Sequence, residues 1–426
     1  MYATFSDLLR DLFGLNIPLP IQTFGLVMAI AFAAAYVVSV SELKRKESIG
    51  YLKKNRIKVW INKKSSNMEL LVSTVLSALV GYKFLAAIFD YSSLVENPQK
   101  FLLSTNGSLL GLILGAAYGY YSIYSSNKKL EWKTPELIQK DFHPYQHMWN
   151  VLFIAAVAGI LGAKIFHNLE NIDELINNPI EAIFSFSGLT FYGGLIVAAL
   201  SIFYYANKKG LSILHLCDAT APALMLAYGI GRIGCHLSGD GDWGIVNSAY
   251  SLNENGTMIH ADNNYFQTHV LSNFAEYYSQ EFNGLINVQS IYFKGWDFLP
   301  NWFWAFNYHN NVLNAGISIP NCFGAHCYML PNPVFPTALY EAVACILLFS
   351  LLWVLRKRFT TAGVFFFFYL VLNGLERFFI EKIRVNETIT FFGFQPSQAE
   401  IISTVFILLG LVGMWYLRRK SRTIKK

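Results

Sequence analysis

Residues 216–244 read "LCDATAPALMLAYGIGRIGCHLSGDGDWG". The first part, "LCDATAPALMLAYGI" (216–230), is a long apolar run. The second, "GRIGCHLSGDGDWG" (231–244), packs an arginine, five glycines, a cysteine, a histidine and two aspartates into fourteen positions. An apolar run that ends abruptly in polar chemistry is the pattern of a membrane span emerging at an aqueous face.

The whole chain supports that reading. Of its 426 residues, 54% are hydrophobic and 14% charged, with a mean hydropathy of +0.36. Soluble domains carry about 25% charged residues, so the composition predicts an integral membrane protein. The net charge of +6 would suggest nucleic acid in a soluble protein. Here the placement of the charges explains it, and no nucleic-acid partner is expected. The leader "MYATFSDLLRDLFGLNIPLP" has two acids and one arginine, which is not the basic start of a cleaved signal peptide.

Nine apolar runs are long enough to cross a bilayer: about 19–40, 69–90, 107–124, 150–167, 189–206, 213–232, 335–355, 362–382 and 397–417. Crossing about 30 Å of hydrocarbon takes roughly 17–25 helical residues. Lys and Arg alternate in the connecting loops. There are nine in 41–68, four in 125–149, two in 207–212, three in 356–361 and six in 418–426. The opposite loops hold Lys100 in 91–106, none in 168–188, and Lys294 alone in 233–334. The excess marks the cytoplasmic side. The predicted fold is therefore an all-α polytopic membrane protein of about nine helices. Its N-terminus is outside, its C-terminus is cytoplasmic, and a large extracytoplasmic cap lies between helices 6 and 7.

Five segments are expected: a first span and basic loop (1–68), an extra helical hairpin (69–149), core spans (150–232), the cap (233–334), and C-terminal spans with a basic tail (335–426). The hairpin is an internal repeat. Gly81 and Lys83 recur as Gly162 and Lys164, Asn97-Pro98 as Asn178-Pro179, and Gly107 as Gly188, each 81 positions on. The cap is aromatic, with seven acids against one lysine. Within it "MIHADNNYFQTHVLSNF" fits either strand or helix. Cys322 and Cys327, in "NCFGAHC", are placed to form a disulfide in an oxidising compartment, or to clip a metal with His326.

Ionisable residues inside spans mark functional sites by default. Arg232 sits at the outer end of the sixth span between Gly231 and Gly234. Its guanidinium suits bidentate phosphate recognition; the plainer alternative is snorkelling to the interface. In "LNGLERFFIEKIR" (372–384), Asn373, Arg377, Glu381 and Arg384 recur on one helix face, and Arg377 and Glu381 can pair at i, i+4. "GLTFYGGLIVAAL" (188–200) offers Tyr192 at the interface and Gly193-Gly194 for close approach of a helix or ligand. Asp240 and Asp242 with His236 match no strong metal signature, so no metal is expected. Three arginines with acids at one face fit an anionic lipid headgroup.

"FYGGL", "GRIGCHLSGDGDWG", "PTALYEAV", "ERFFIEKIR" and "PSQAEIISTVFILLGL" follow one another in the order seen in the prolipoprotein diacylglyceryl transferase family, which the chain resembles. "IQTFGLVMAIAFAAAY" resembles that family's first span. The likeness covers about 19–40 and 150–426, without most of 245–330. It implies a bacterial inner-membrane enzyme with its site toward the outer leaflet. Such an enzyme moves the diacylglyceryl group of phosphatidylglycerol to the lipobox cysteine of a prelipoprotein signal peptide, without a cofactor, and releases glycerol 1-phosphate.

The resemblance also implies roles. Arg232, Gly193, Gly194, Gly244 and Arg384 would bind phosphatidylglycerol, and Tyr192, Arg377, Glu381 and Asp240 would act in catalysis. Tyr192 stands where many members have histidine, as base or as headgroup orienter. Cys235 replaces the usual asparagine of the signature, and Phe24 a frequent tyrosine. These departures leave a second reading: a silent lipid-binding or scaffold homologue whose cap binds a partner. A transporter is a third, suggested by the repeat. Both copies lack the polar, broken helices that transport would need.

Overall fold

The computed structural model describes residues 1–184, 190–253, 256–282, 284–285, 288–322, 324–385 and 396–424. A short helix, α1 (Phe5–Phe13), is followed by nine helices of 18 residues or more among the described residues. They are α2 (Thr23–Ser48), α3 (Asn67–Phe89), α4 (Leu109–Lys129), α5 (Met148–Glu170), α6 (Phe191–Lys208), α7 (Ile213–Ser238), α8 (Thr337–Leu355), α9 (Val364–Glu381) and α10 (Gln398–Ile424). Six of them, α2, α3, α5, α7, α8 and α10, are long and apolar enough to cross a membrane. Tyrosines dilute α4 and α6. In α9 three ionisable residues, Glu376, Arg377 and Glu381, do the same. The protein is thus a mostly helical, polytopic membrane protein.

The all-α expectation needs one amendment, because among the described residues four two-stranded sheets join the helices. β1 (Asn55–Ile61) pairs antiparallel with β2 (Glu136–Phe142) over seven residues. "NRIKVWI" explains β1: Arg56, Lys58 and Trp60 alternate with Ile57, Val59 and Ile61, the period of a strand. The other strands lie in 233–334: β3 (Val246–Asn247) with β6 (Ser290–Ile291), β4 (Tyr250–Leu252) with β5 (Met258–His260), and β7 (Ile317–Ser318) with β8 (Tyr328–Met329). The stretch that fitted strand or helix is both: β5 first, then helical turns over 266–273.

The chain divides into two compact units: residues 1–16, 22–43 and 212–426, and residues 17–21 and 44–211. The division at 211/212 falls inside the stretch 150–232 that was expected as one set of core spans.

In the second unit α3 packs on α4, and α5 on α6, through glycines. A Cβ on Gly81 would lie 2.3 Å from the Gly111 carbonyl oxygen, and one on Gly162 2.7 Å from that of Gly193. Only hydrogen side chains allow such close helix crossing. Between its long helices each hairpin has two six-residue helices, Tyr91–Glu96 and Pro98–Leu103 in one, Ile172–Asn177 and Pro179–Phe184 in the other. Asn97 caps its short helix through the Lys100 N–H at 2.9 Å. Gly188, a landmark of the repeat, lies outside the described residues.

In the first unit α7 runs on to Ser238, and Gly239, in the left-handed region at φ 67°, ends it. The cap therefore begins six residues later than 233. Its core gathers Val246, Phe266, Val270, Tyr278, Tyr308, Leu330 and Val334. Cys322 and Cys327 form a disulfide.

Candidate active site

Local features of the first unit bring its charges together. Gly231 and Gly234 of α7 face α2: a Cβ on Gly234 would lie 3.3 Å from both Phe24 and Val27. Gly229 faces α8, 3.0 Å from the Cβ of Cys345 by the same construction. The start of α9 is held by buried Asp218 of α7, which accepts the N–H groups of Gly363 and Phe366 at 2.9 Å each. A carboxylate there satisfies the open amides and favourable dipole of a helix start.

Glu341, on α8, is the hub and is fully buried. Arg232 Nε lies 2.7 Å from its Oε2, and Arg377 Nη1 2.6 Å from its Oε1. Arg384 Nη1 stands 3.6 Å away. The Tyr228 hydroxyl donates to Oε1 at 3.2 Å, and the Arg232 guanidinium lies over the Tyr228 ring, 5.1 Å from its centre. Arg232 and Arg384 also engage the two oxygens of Asp242. Arg377 pairs with Glu381 at 3.1 Å, and Ser397 donates its hydroxyl to Glu381 at 2.7 Å. Three guanidiniums thus meet three carboxylates.

Arg384 does not continue the face of α9 as expected. The helix ends at Glu381, and the chain turns to pair with the cap strand: Gly244 bridges Arg384, and the Ile245 N–H donates to the Ile383 carbonyl at 2.9 Å. That pairing requires glycine. A Cβ on Gly244 would meet the Ile383 carbonyl oxygen at 2.5 Å. The Thr337 hydroxyl donates to the Asp242 carbonyl at 2.8 Å and fixes the same turn to α8.

The two aspartates of the signature differ. Burial works against ionising Asp242, but Arg232 and Arg384 outweigh it and hold its carboxyl below the usual range. Asp240 stands outside the ion pairs. Burial raises its pKa, which makes it a stronger proton acceptor than an ordinary aspartate. Cys235, Asp240 and Asp242 bring potential ligand atoms within 4.8 Å of one another. The two arginines on Asp242 make this a poor place for a cation. His236 turns to the Tyr308 hydroxyl, 3.2 Å away.

Arg232, Arg377, Glu381, Arg384 and Gly244 therefore gather in one unit, with Asp240 two residues from Asp242. Tyr192, Gly193 and Gly194 lie on α6 in the other. There Gly193 and Gly194 serve packing against α5: added Cβ atoms would meet Phe166 at 2.3 Å and the Gly159 carbonyl at 2.8 Å. Glu341 and Glu376 were not singled out in the sequence. A signal existed for Glu341, the sole Asp, Glu, Lys or Arg among the 19 residues of α8. Glu376 is buried beside Arg377 in sequence, and neither of its oxygens has a hydrogen-bond partner among the described residues.

Comparison with known proteins decides the family. The profile of the prolipoprotein diacylglyceryl transferases matches residues 113–416, well over half of the chain. The chain belongs to this family. The match takes in Arg232, Glu341, Arg377 and Arg384, and it begins inside α4. A phosphatidylglycerol–prolipoprotein diacylglyceryl transferase of Streptococcus suis is 27% identical over 317 residues, 74% of this chain and 86% of the relative. One of Clostridium novyi is 25% identical over 304 residues, 71% of this chain and 86% of the relative. One of Clostridium tetani is 36% identical over 93 residues, which span 22% of this chain and 37% of that relative. As a family member the chain is a transferase of lipoprotein biosynthesis, and the ion set around buried Glu341 is its candidate active site.

Proposed function

We propose that this membrane enzyme transfers the diacylglyceryl group of phosphatidylglycerol to the lipobox cysteine thiol of prelipoproteins and releases glycerol 1-phosphate. The observation that carries the reading is the group of three arginines oriented by Glu341 and Asp242, in a chain of this family. The sulfur attacks the glycerol carbon, the carbon–oxygen bond to phosphate breaks, and the thiol proton leaves. Charge grows on the departing phosphate. The carboxylates keep the guanidiniums close together, and these stabilise the charge once the phosphate has displaced an acid. Arg232 and Arg377 take the phosphate. Arg384 and Gly244 hold the cap strand against α9.

The thiol, with an ordinary pKa of about 8.5, needs a proton acceptor. Asp240, made more basic by burial, fits that task, and Glu381 is a second acceptor. Metal and cofactor have no step in this chemistry. The nine helices alternate across the bacterial inner membrane, with the N-terminus outside and the site at the outer leaflet. Two features support this orientation: the bias of Lys and Arg in the loops, and a disulfide in the cap. After reduction, Cys322 and Cys327 should react with a membrane-impermeant thiol reagent added to intact cells. Protection until lysis would reverse the topology.

The deciding assay uses purified protein, phosphatidylglycerol and a lipobox peptide. Glycerol phosphate should appear, and Arg232→Ala or Arg377→Ala should abolish it; full activity in both variants refutes the reading. The second reading, a silent lipid-binding homologue, draws on Arg232 being engaged by two acids and on Cys235 in the signature. Rescue of cells depleted of the transferase excludes it.

A further inference from the structure

Cap segment 288–303, "VQSIYFKGWDFLPNWF", has six aromatic residues and two charged ones, Lys294 and Asp297. Its backbone is fixed from within. Buried Asn247 accepts the Phe293 N–H at 3.2 Å and donates to the Phe293 carbonyl at 3.1 Å. The hydroxyl of buried Tyr250 accepts the Gly295 N–H at 3.2 Å, and the Trp304 indole donates to the Trp296 carbonyl at 3.3 Å. Yet Trp296 is 61% exposed, Phe298 76% and Trp302 51%. The Trp296 and Phe298 rings stack, 5.6 Å between centres. Large apolar groups displayed on a firmly held backbone mark an interaction surface.

Its neighbour says what covers it. The Tyr340 hydroxyl donates to the Phe303 carbonyl at 2.6 Å. Tyr340 is near the start of α8, a candidate membrane span. From Tyr340 onward Val343, Leu347, Leu351 and Val354 recur at helical spacing, and all four are exposed. On a span, an exposed apolar stripe faces lipid. The aromatic shelf continues that stripe past the end of the helix, where tryptophan and other aromatic rings favour the headgroup layer.

We propose that segment 288–303 lies in the interfacial layer of a phospholipid bilayer at the N-terminal end of α8. Trp296, Phe298 and Trp302 insert among headgroups and upper acyl chains, while Lys294 and Asp297 stay at the water side. The contact seats the cap on lipid. Asn247, which clamps the shelf, is three residues from Gly244, the partner of Arg384, so one short segment, 244–247, touches both the seat and the ion set. The proposal rests on α8 crossing the membrane and is independent of the transfer chemistry.

The test reconstitutes the full-length protein, W296F and W302F in vesicles of phosphatidylcholine and phosphatidylglycerol. Differences in emission between wild type and each variant isolate the two indoles. Lipids brominated near the carbonyl should quench that emission by about half, and aqueous iodide should quench it about threefold less than it quenches a free indole, as for interfacial tryptophan. Full iodide access without bromolipid quenching overturns the proposal. A second measurement uses F298D/W302D in the transfer assay. Activity on phosphatidylglycerol in vesicles should fall about tenfold, while activity on detergent-dispersed short-chain phosphatidylglycerol stays within about twofold. Equal loss in both would assign the shelf to the acceptor peptide and overturn a lipid role. If no transfer occurs at all, the quenching experiment still decides.

Discussion

Arg377 of α9 and Glu341 of α8 meet at 2.6 Å, and the carboxylate between them is fully buried. Arg232 of α7 reaches the same carboxylate at 2.7 Å. One acid thus ties three helices together, and its removal leaves partly buried guanidiniums without their shared partner. Breaking a buried ion pair by deleting one partner costs about 3–5 kcal/mol. Glu341→Ala should lower the melting temperature in detergent markedly. Glu341→Gln keeps the shape, should lower it less, and should still reduce transfer about 100-fold by releasing the arginines from their fixed orientation. Turnover within a few-fold of wild type in Glu341→Gln would remove Glu341 from the site.

Arg232 uses Nε for Glu341 and Nη1 for Asp242. A single ammonium cannot span two acids in that way. Arg232→Lys, although it keeps the charge, should reduce transfer at least about tenfold. Lipid titration of the initial rate checks this. A lysine variant with wild-type rates would mean that charge alone is enough at this position.

Asp240 and Asp242 should respond oppositely to pH. Asp242, held below its ordinary pKa of 3.8 by Arg232 and Arg384, adds stability above that value and loses it as pH falls through its lowered pKa. Asp240, raised above 3.8 by burial, opposes folding when charged, and the penalty fades as pH falls through its raised pKa. Near neutral pH Asp242→Asn should destabilise, and Asp240→Asn should be neutral or stabilising. Melting curves at several pH values would show it; the same sign for both variants would contradict it.

Gly244→Ala would force a Cβ to within 2.5 Å of the Ile383 carbonyl and 2.8 Å of Thr337. Overpacking of this kind costs about 1–3 kcal/mol, and it would part Arg384 from Asp242, so transfer should fall with stability. Gly159→Ala is the control. Its Cβ would meet nothing within 4 Å, and alanine in a helix is up to about 1 kcal/mol better than glycine.

The long helices were legible because apolar runs of span length have few other uses, and the arginines because each ends such a run. Arg384 was misplaced for a physical reason. Helix periodicity extends its face past Glu381, but the chain leaves the helix to pair with Gly244, 140 residues away. Glu341 is legible as the lone acid of α8, but its three arginine partners lie on other segments, which no local pattern brings together. β1 and β2 sit in loops rich in lysine and arginine, and their register depends on a partner far along the chain. The cap was unreadable because its core joins distant residues, as Val246, Phe306 and Val334 do.

The pairing of three guanidiniums with Glu341, Asp242 and Glu381 has a kinetic meaning. A cluster that cancels its own charge exerts little long-range pull on passing anions. Free inorganic phosphate, which has no acyl chains to anchor it, gains too little to pry an arginine from its acid. A lipid delivered by lateral diffusion stays beside the cluster long enough to make the exchange. Self-neutralisation would then act as a filter, keeping the resting enzyme from being inhibited by the soluble anions around it.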